Sequence, residues 1–260
     1  MSEQIPLIMD FTGVYRDEPF FMQHDFRWLD CRDLRGTSCY CDEEAVKQLR
    51  ERMAAYSPCG IHLIDSGNYH YVSKLWTDRL ERPFSLVLFD HHPDMQPSLF
   101  EELLSCGCWV RTMLDENRYL RKVCIVGAAE SLKKETEGYG ERLLYYSEQT
   151  LEHEEAWRLF SDFHLLGDVY VSVDKDVLSP EYAATNWNQG SMTLEQLKRL
   201  LAVVLSNNRV IGMDICGELN AVAHDWQYAC GERLNGNTNE ALLRFLKEML
   251  QSRGNEKRMA

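Results

Sequence analysis

The stretch Phe84-Ser85-Leu86-Val87-Leu88-Phe89-Asp90-His91-His92-Pro93-Asp94 couples an apolar run to a cluster of titratable groups. The run shows no alternation of polar and apolar residues, and such segments suit strands buried on both faces of a parallel sheet. In an extended chain alternate side chains share a side, so Asp90, His92 and Asp94 project together. Two carboxylates and an imidazole converging there would repel and desolvate one another without a cation between them.

Four more apolar runs recur along the chain: Gly60 to Asp65, Val123 to Gly127, Val169 to Asp174 and Val210 to Asp214. Between them lie helical patterns. Asp42 to Tyr56 puts Val46, Leu49, Met53 and Tyr56 on one face, and Thr193 with Gln196 makes a capping box ahead of Leu200 and Val204. Thr238 precedes a last helix striped by Leu242, Leu243, Leu246, Met249 and Leu250. Strands alternating with helices imply βαβ units and an α/β fold in three layers. The segment before about residue 40 shows no regular pattern, and no linker or repeat divides the chain, so residues 1–260 are expected to form one domain.

Of the five runs, four end in an aspartate: Asp65, Asp90, Asp174 and Asp214. Ligands of open α/β sheets bind outside the carboxyl ends of the strands. Ser172-Val173-Asp174-Lys175-Asp176 repeats the acidic spacing at that edge, and Ser66-Gly67-Asn68-Tyr69-His70 adds an imidazole after a glycine turn. Any single Asp-x-Asp is weak, because strand-end acids also cap helices or face solvent. Together, His70, Asp90, His92, Asp94, Asp174 and Asp176 are too many ligands for one tetrahedral zinc. They suit two ions of octahedral leaning, with Mn²⁺ the natural choice for oxygen-rich coordination. Two such ions can lower the pKa of a bridging water and aim it as hydroxide at a polarised carbon.

Composition narrows the partners. The chain carries 28 basic and 41 acidic residues, a formal net charge of −13, which repels nucleic acid and anionic membrane and favours a small cationic substrate. No apolar run reaches membrane-spanning length, and Met1 to Pro6 lacks the charged and apolar regions of a secretory signal. Nine cysteines are an odd number, read most simply as reduced thiols in a cytoplasm.

These residues resemble the ureohydrolases, the arginase and agmatinase superfamily. Asp90-His91-His92-Pro93-Asp94 is similar to their Asp-x-His-x-Asp motif. Ser172 to Asp176, followed by Val177-Leu178-Ser179-Pro180, is similar to Ser-x-Asp-x-Asp-x-x-Asp-Pro, with serine for the last aspartate. His70 carries over from a Gly-Gly-Asp-His-Ser segment, and Val210 to Glu218 resembles a late Asp-x-x-Glu segment with one extra residue. The resemblance implies a mainly parallel sheet of about eight strands flanked by helices and a dinuclear manganese hydrolase of guanidino or amidino C–N bonds. It implies that Asp90 and Asp174 bridge two Mn²⁺, His70 and Asp94 complete one ion, and His92 and Asp176 the other. Asp94 would also hold the attacking water, and Glu218 would pair with the substrate cation. The family is usually multimeric, so a homo-oligomer is expected, although Gln251 to Ala260 offers no recognisable assembly element.

The departures from the family are as specific as the matches. Ser105-Cys106-Gly107 stands where the family has Ser-His-Gly, whose histidine shuttles a proton to the leaving amine, so Cys106 takes that place. Met95-Gln96-Pro97-Ser98 and Thr185 to Met192 lack the family's substrate-gripping patterns, so free arginine does not follow as the substrate.

Other candidates have plainer readings. His91 should point away from its ligand neighbours; Trp76, Trp109 and Trp187 are core or pocket wall, with Trp187 the one to meet substrate. Cys39-x-Cys41 and Cys106-x-Cys108 lack the partner pair of a zinc site. The runs Lys133-Lys134-Glu135 and Glu154-Glu155 are solvated helix faces, and His224-Asp225 belongs to the surface. Two rival functions stay open: a DHH-type phosphoesterase, because Asp90-His91-His92 also fits that motif, and a metal-binding protein without turnover on the same scaffold.

Overall fold

The apolar runs form the strands of one sheet. The computed structural model describes residues 5–16, 20, 24–98, 103–153, 160, 164–165, 167–220 and 226–259. Its strands are β1 (Leu7–Asp10), β2 (Arg27–Asp30), β3 (Tyr40–Cys41), β4 (Ile61–Ile64), β5 (Phe84–Phe89), β6 (Leu104–Ser105), β7 (Leu120–Val126), β8 (Leu143–Tyr146), β9 (Asp168–Asp174) and β10 (Arg209–Cys216). The helices are α1 (Glu43–Met53), α2 (Val72–Thr77), α3 (Trp109–Glu116), α4 (Glu148–Leu151), α5 (Leu194–Asn207) and α6 (Trp226–Met259).

Eight strands make one sheet in the order β2-β1-β4-β10-β9-β5-β7-β8, every pairing parallel. The period of two along each strand splits the core into two clusters. Leu86, Leu88, Val123 and Ile125 pack with α1, α2 and α3, whereas Val87, Phe89, Val171 and Val173 pack with α5 and α6. The result is the three-layer α/β/α arrangement, with β3 and β6 as a separate antiparallel pair. The expected capping box is present, with Thr193 and Gln196 bonded reciprocally, and Asp42 caps α1 by accepting from Ala45 N.

Three features differ from the sequence reading. The segment before residue 40 contains β1 and β2, each four residues long. These strands are too short to show a period, and β2 is an edge strand with one buried residue, Leu29. At the other edge, β8 is half-buried throughout and lacks a core strand's signature. Finally, α6 begins at Trp226 rather than after Thr238, because its inner face carries the buried polar residues Asn235, Thr238 and Asn239. Asn235 donates to and accepts from the Ala184 backbone, a polar anchor that hydrophobic periodicity cannot detect.

Candidate metal centre

Four adjacent strands, β4, β10, β9 and β5, carry the site at their carboxyl ends. After β4 the chain turns through Gly67–Tyr69 and presents His70 at the start of α2. Asp90 to Asp94 leave β5; Asp174 ends β9, and Asp176 lies in the tight turn after it. All six expected ligands line one cavity of about 220 Å³.

Their donor atoms converge. His70 Nδ1 lies 3.2 Å from Asp90 Oδ2, 3.1 Å from Asp94 Oδ2 and 3.5 Å from Asp174 Oδ2. His92 Nδ1 lies 2.9 Å from Asp176 Oδ2 and 3.6 Å from Asp90 Oδ1. Two groups of three donors result, His70 with Asp90 and Asp94, and His92 with Asp90 and Asp176, so Asp90 is common to both. A third group joins His70 and Asp174 to Cys216, a residue the sequence reading did not select.

The donor set fits divalent ions. Burial pushes the carboxyl of Asp176 up to about 6, with nearby Asp90 adding to it, and burial also raises Asp94 and Asp174. Burial opposes charge on His92, but Asp176 and Asp90 outweigh it and raise the imidazole to about 11. His70 is likewise raised, burial being outweighed by Cys216, Asp90 and Asp94. The carboxylates thus draw positive charge to the centre, a demand that cations would meet in place of imidazole protons.

Surrounding groups leave the inward atoms available. His92 N donates to Asp90 Oδ1 at 2.6 Å, Asp176 N to Asp174 Oδ1 at 2.9 Å, and His91 N to Asp176 Oδ1 at 3.0 Å. One oxygen of each is therefore anchored to the backbone, while the other faces the centre. Ser172 Oγ donates to Asp214 Oδ1, so it accepts from His70 Nε2 at 2.8 Å. With its proton on Nε2, His70 offers the Nδ1 lone pair, the usual arrangement around ligating histidines.

Asp94 stands in left-handed backbone at φ 51°, a conformation aspartate tolerates better than most residues. Its carbonyl accepts from Val110 N at the start of α3, and Trp109 Nε1 donates to its Oδ2 at 2.6 Å. Gly217, at φ 94°, lets the chain press against the site, since a Cβ there would lie 2.4 Å from Asp174 Oδ1.

The other expected residues divide. Cys106 and Trp187 line the cavity, the latter 40 % exposed with Nε1 donating to Asn68 Oδ1. Burial pushes the Cys106 thiol well up, with Asp94 adding to it, so it stays protonated at neutral pH. Glu218 is fully buried and is not among the residues that line the cavity. Its Oε1 accepts from Lys175 Nζ and from Asn239 Nδ2, so a cation of the chain itself meets it in the core. Gly217, at φ 94°, turns the backbone just before Glu218, and both Gly217 N and Glu218 N donate to Asp65 O. Of the four strand-end aspartates, Asp65 and Asp214 also miss the cavity: Asp65 ties β4 to residues 11 and 12, and Asp214 holds Ser172.

His91 contributes its backbone rather than its ring to the centre, Trp76 is core and stacks on His62, and Trp109 is buried beside His70. No cysteine pair joins a donor group among the described residues. Glu154-Glu155 and His224-Asp225 lie outside the described residues. The sequence reading missed Cys216, Lys175, Glu135 on the cavity wall, and the bond from Trp109 to Asp94. One signal was available: Cys216 lies two residues beyond Asp214, on the same side of an extended strand.

The sequence profile of the arginase family matches residues 13–229, and the chain belongs to that family. An uncharacterized protein of Thermotoga maritima is 28 % identical over 230 residues, covering 88 % of this chain and 85 % of its own. Among solved structures, formimidoylglutamase from Bacillus subtilis aligns with a TM-score of 0.65 at 14 % identity, covering 95 % of this chain and 89 % of that one. Arginase from Bacillus caldovelox gives 0.62 at 12 % identity, covering 91 % and 97 %. Agmatine ureohydrolase of Thermoplasma volcanium gives 0.62 at 16 %, covering 98 % and 90 %. The matched region includes both Asp90 to Asp94 and Ser172 to Asp176.

Proposed function

We propose that this chain is a hydrolase dependent on two Mn²⁺ ions that cleaves a C–N bond of a small guanidino or amidino compound. The observation that carries the reading is the convergence of four carboxylates and two imidazoles on one cavity at the sheet's carboxyl edge. In this reading His70, Asp90, Asp94 and Asp174 hold one ion, and Asp90, His92, Asp174 and Asp176 the other. When bound, such a pair activates water and polarises the carbon under attack.

The chain's own groups supply the rest. Asp94, raised by burial, can take the proton of the attacking water and return it to the leaving nitrogen, with Trp109 fixing its carboxyl. Cys106 keeps its proton at neutral pH, so it serves as wall and weak donor rather than as a shuttle. Among the described residues Glu135 is the acidic one lining the cavity outside the donor cluster, and in this reading it takes the cationic end of the substrate, which the buried Glu218 does not face. Trp187 covers the mouth. A net charge of −13 favours such a substrate over nucleic acid or anionic membrane. No described helix is long and apolar enough to cross a membrane. We take the chain as a single domain acting in the cytoplasm, with a homo-oligomer expected.

Urea and ammonia release should be measured for the Mn-loaded protein against arginine, agmatine, guanidinobutyrate and formimino compounds, together with its metal content. Release from one of them, with about two ions per chain, is the expected result. Bound metal with silence across the panel would sink the reaction and favour the scaffold without turnover.

A further inference from the structure

We propose that Cys216 is a thiolate ligand of the ion on the His70 side of the centre. The inference rests on the two-ion reading above and concerns which atoms hold the ion. In the β10–β9 ladder Cys216 pairs in register with Asp174, so the two side chains leave neighbouring strands at the same level. Cys216 Sγ lies 3.2 Å from Asp174 Oδ2, the oxygen that no backbone N–H holds. Sulfur, an Asp174 carboxylate oxygen and a His70 ring nitrogen lie within 4.8 Å of one another, all three residues are buried, and Cys216 lies behind the residues that line the cavity rather than on its wall. Separations of about 3–3.5 Å are those of neighbouring ligands around an ion with bonds of about 2.0–2.3 Å.

Gly217 and the bonds from Gly217 N and Glu218 N to Asp65 O pin the chain just after the thiol, so Cys216 is held facing Asp174 and His70. Ligation breaks the S–H bond and forms a sulfur–metal bond with the same electron pair. The proton leaves to solvent, so no oxidant is required. A soft sulfur beside four carboxylates makes the two ion positions unequal. Compared with an all-oxygen-and-nitrogen site, the His70 side then binds zinc and cobalt more tightly relative to manganese, while the His92 side stays all oxygen and nitrogen.

The test loads the full chain with Co²⁺, counts metal by mass spectrometry, and records the near-ultraviolet thiolate-to-cobalt absorption. Wild type and Cys106→Ser should show the band, and Cys216→Ser and Cys216→Ala should lose it while keeping at least one cobalt. In competition between Zn²⁺ and Mn²⁺, Cys216→Ser should shift the preference toward manganese by about tenfold or more. Two bound cobalt ions without the band, or a band removed by Cys106→Ser and kept in both Cys216 variants, overturns the assignment and leaves the two-ion reading standing. Failure of wild type to bind cobalt or manganese overturns both.

Discussion

Two regions of this protein bury the same residue types and treat them in opposite ways. Beside β4, Asp65 accepts from Phe11 N, Thr12 N and Ser66 N and from the Thr12 hydroxyl, so both of its oxygens are engaged by fixed donors. In the cavity, Asp90, Asp174 and Asp176 each have one oxygen anchored by a backbone N–H and the other turned inward. Burial pushes Asp65 and Asp176 alike up to about 6, so titration does not separate them. The arrangement of donors does. Histidines show the same contrast: burial lowers His62 to about 4, whereas His70, equally buried, is raised because Cys216, Asp90 and Asp94 face it.

The sharpest way to break this comparison is Asp90→Asn. Asp90 belongs to two of the three donor groups and is shared between the His70 and His92 sides, so the variant should lose most bound metal and all measurable turnover while circular dichroism stays native. A variant that keeps two ions would undo the distinction. Next in size is Lys175→Met, which leaves Glu218 buried without its cation. Chemical denaturation should register a loss of about 3–5 kcal/mol.

His62 tests the effect of pH. Its folded pKa lies below the unfolded value of 6.5, so the unfolded chain takes up the proton first as pH falls. The stability from burying it neutral is complete above pH 6.5 and is lost as pH falls toward 4. That loss amounts to roughly 3 kcal/mol. Denaturation of His62→Gln between pH 7 and pH 4 should show a correspondingly flatter profile. The smallest effect is expected of Asp65→Asn, whose amide would meet donors with a donor. It should cost about 1–3 kcal/mol in thermal or urea unfolding, with metal content unchanged. Loss of metal there would erase the difference between the two regions.

Much of this was legible in the chain itself. The runs ending at Asp90 and Asp174 are long, apolar and uninterrupted, so strand, sheet edge and ligand direction follow from the period of two. Short edge strands such as β2 and β8 carry too few buried residues for that signal, and α6 hides its start behind inward-facing asparagines. Glu218 marks the other limit. Motif spacing points it at a substrate, yet whether a carboxylate meets solvent or Lys175 depends on how the backbone turns at Gly217.

Sequence alone determined the α/β class, the carboxyl edge that bears the site and the six residues expected to converge there, because alternation along a strand is local geometry. Tertiary structure decided which aspartates are saturated by donors, that Lys175 occupies Glu218, and that Cys216 faces Asp174 across the β9–β10 ladder. Those outcomes depend on which strands become neighbours and on the donors that distant segments bring. No local pattern encodes them.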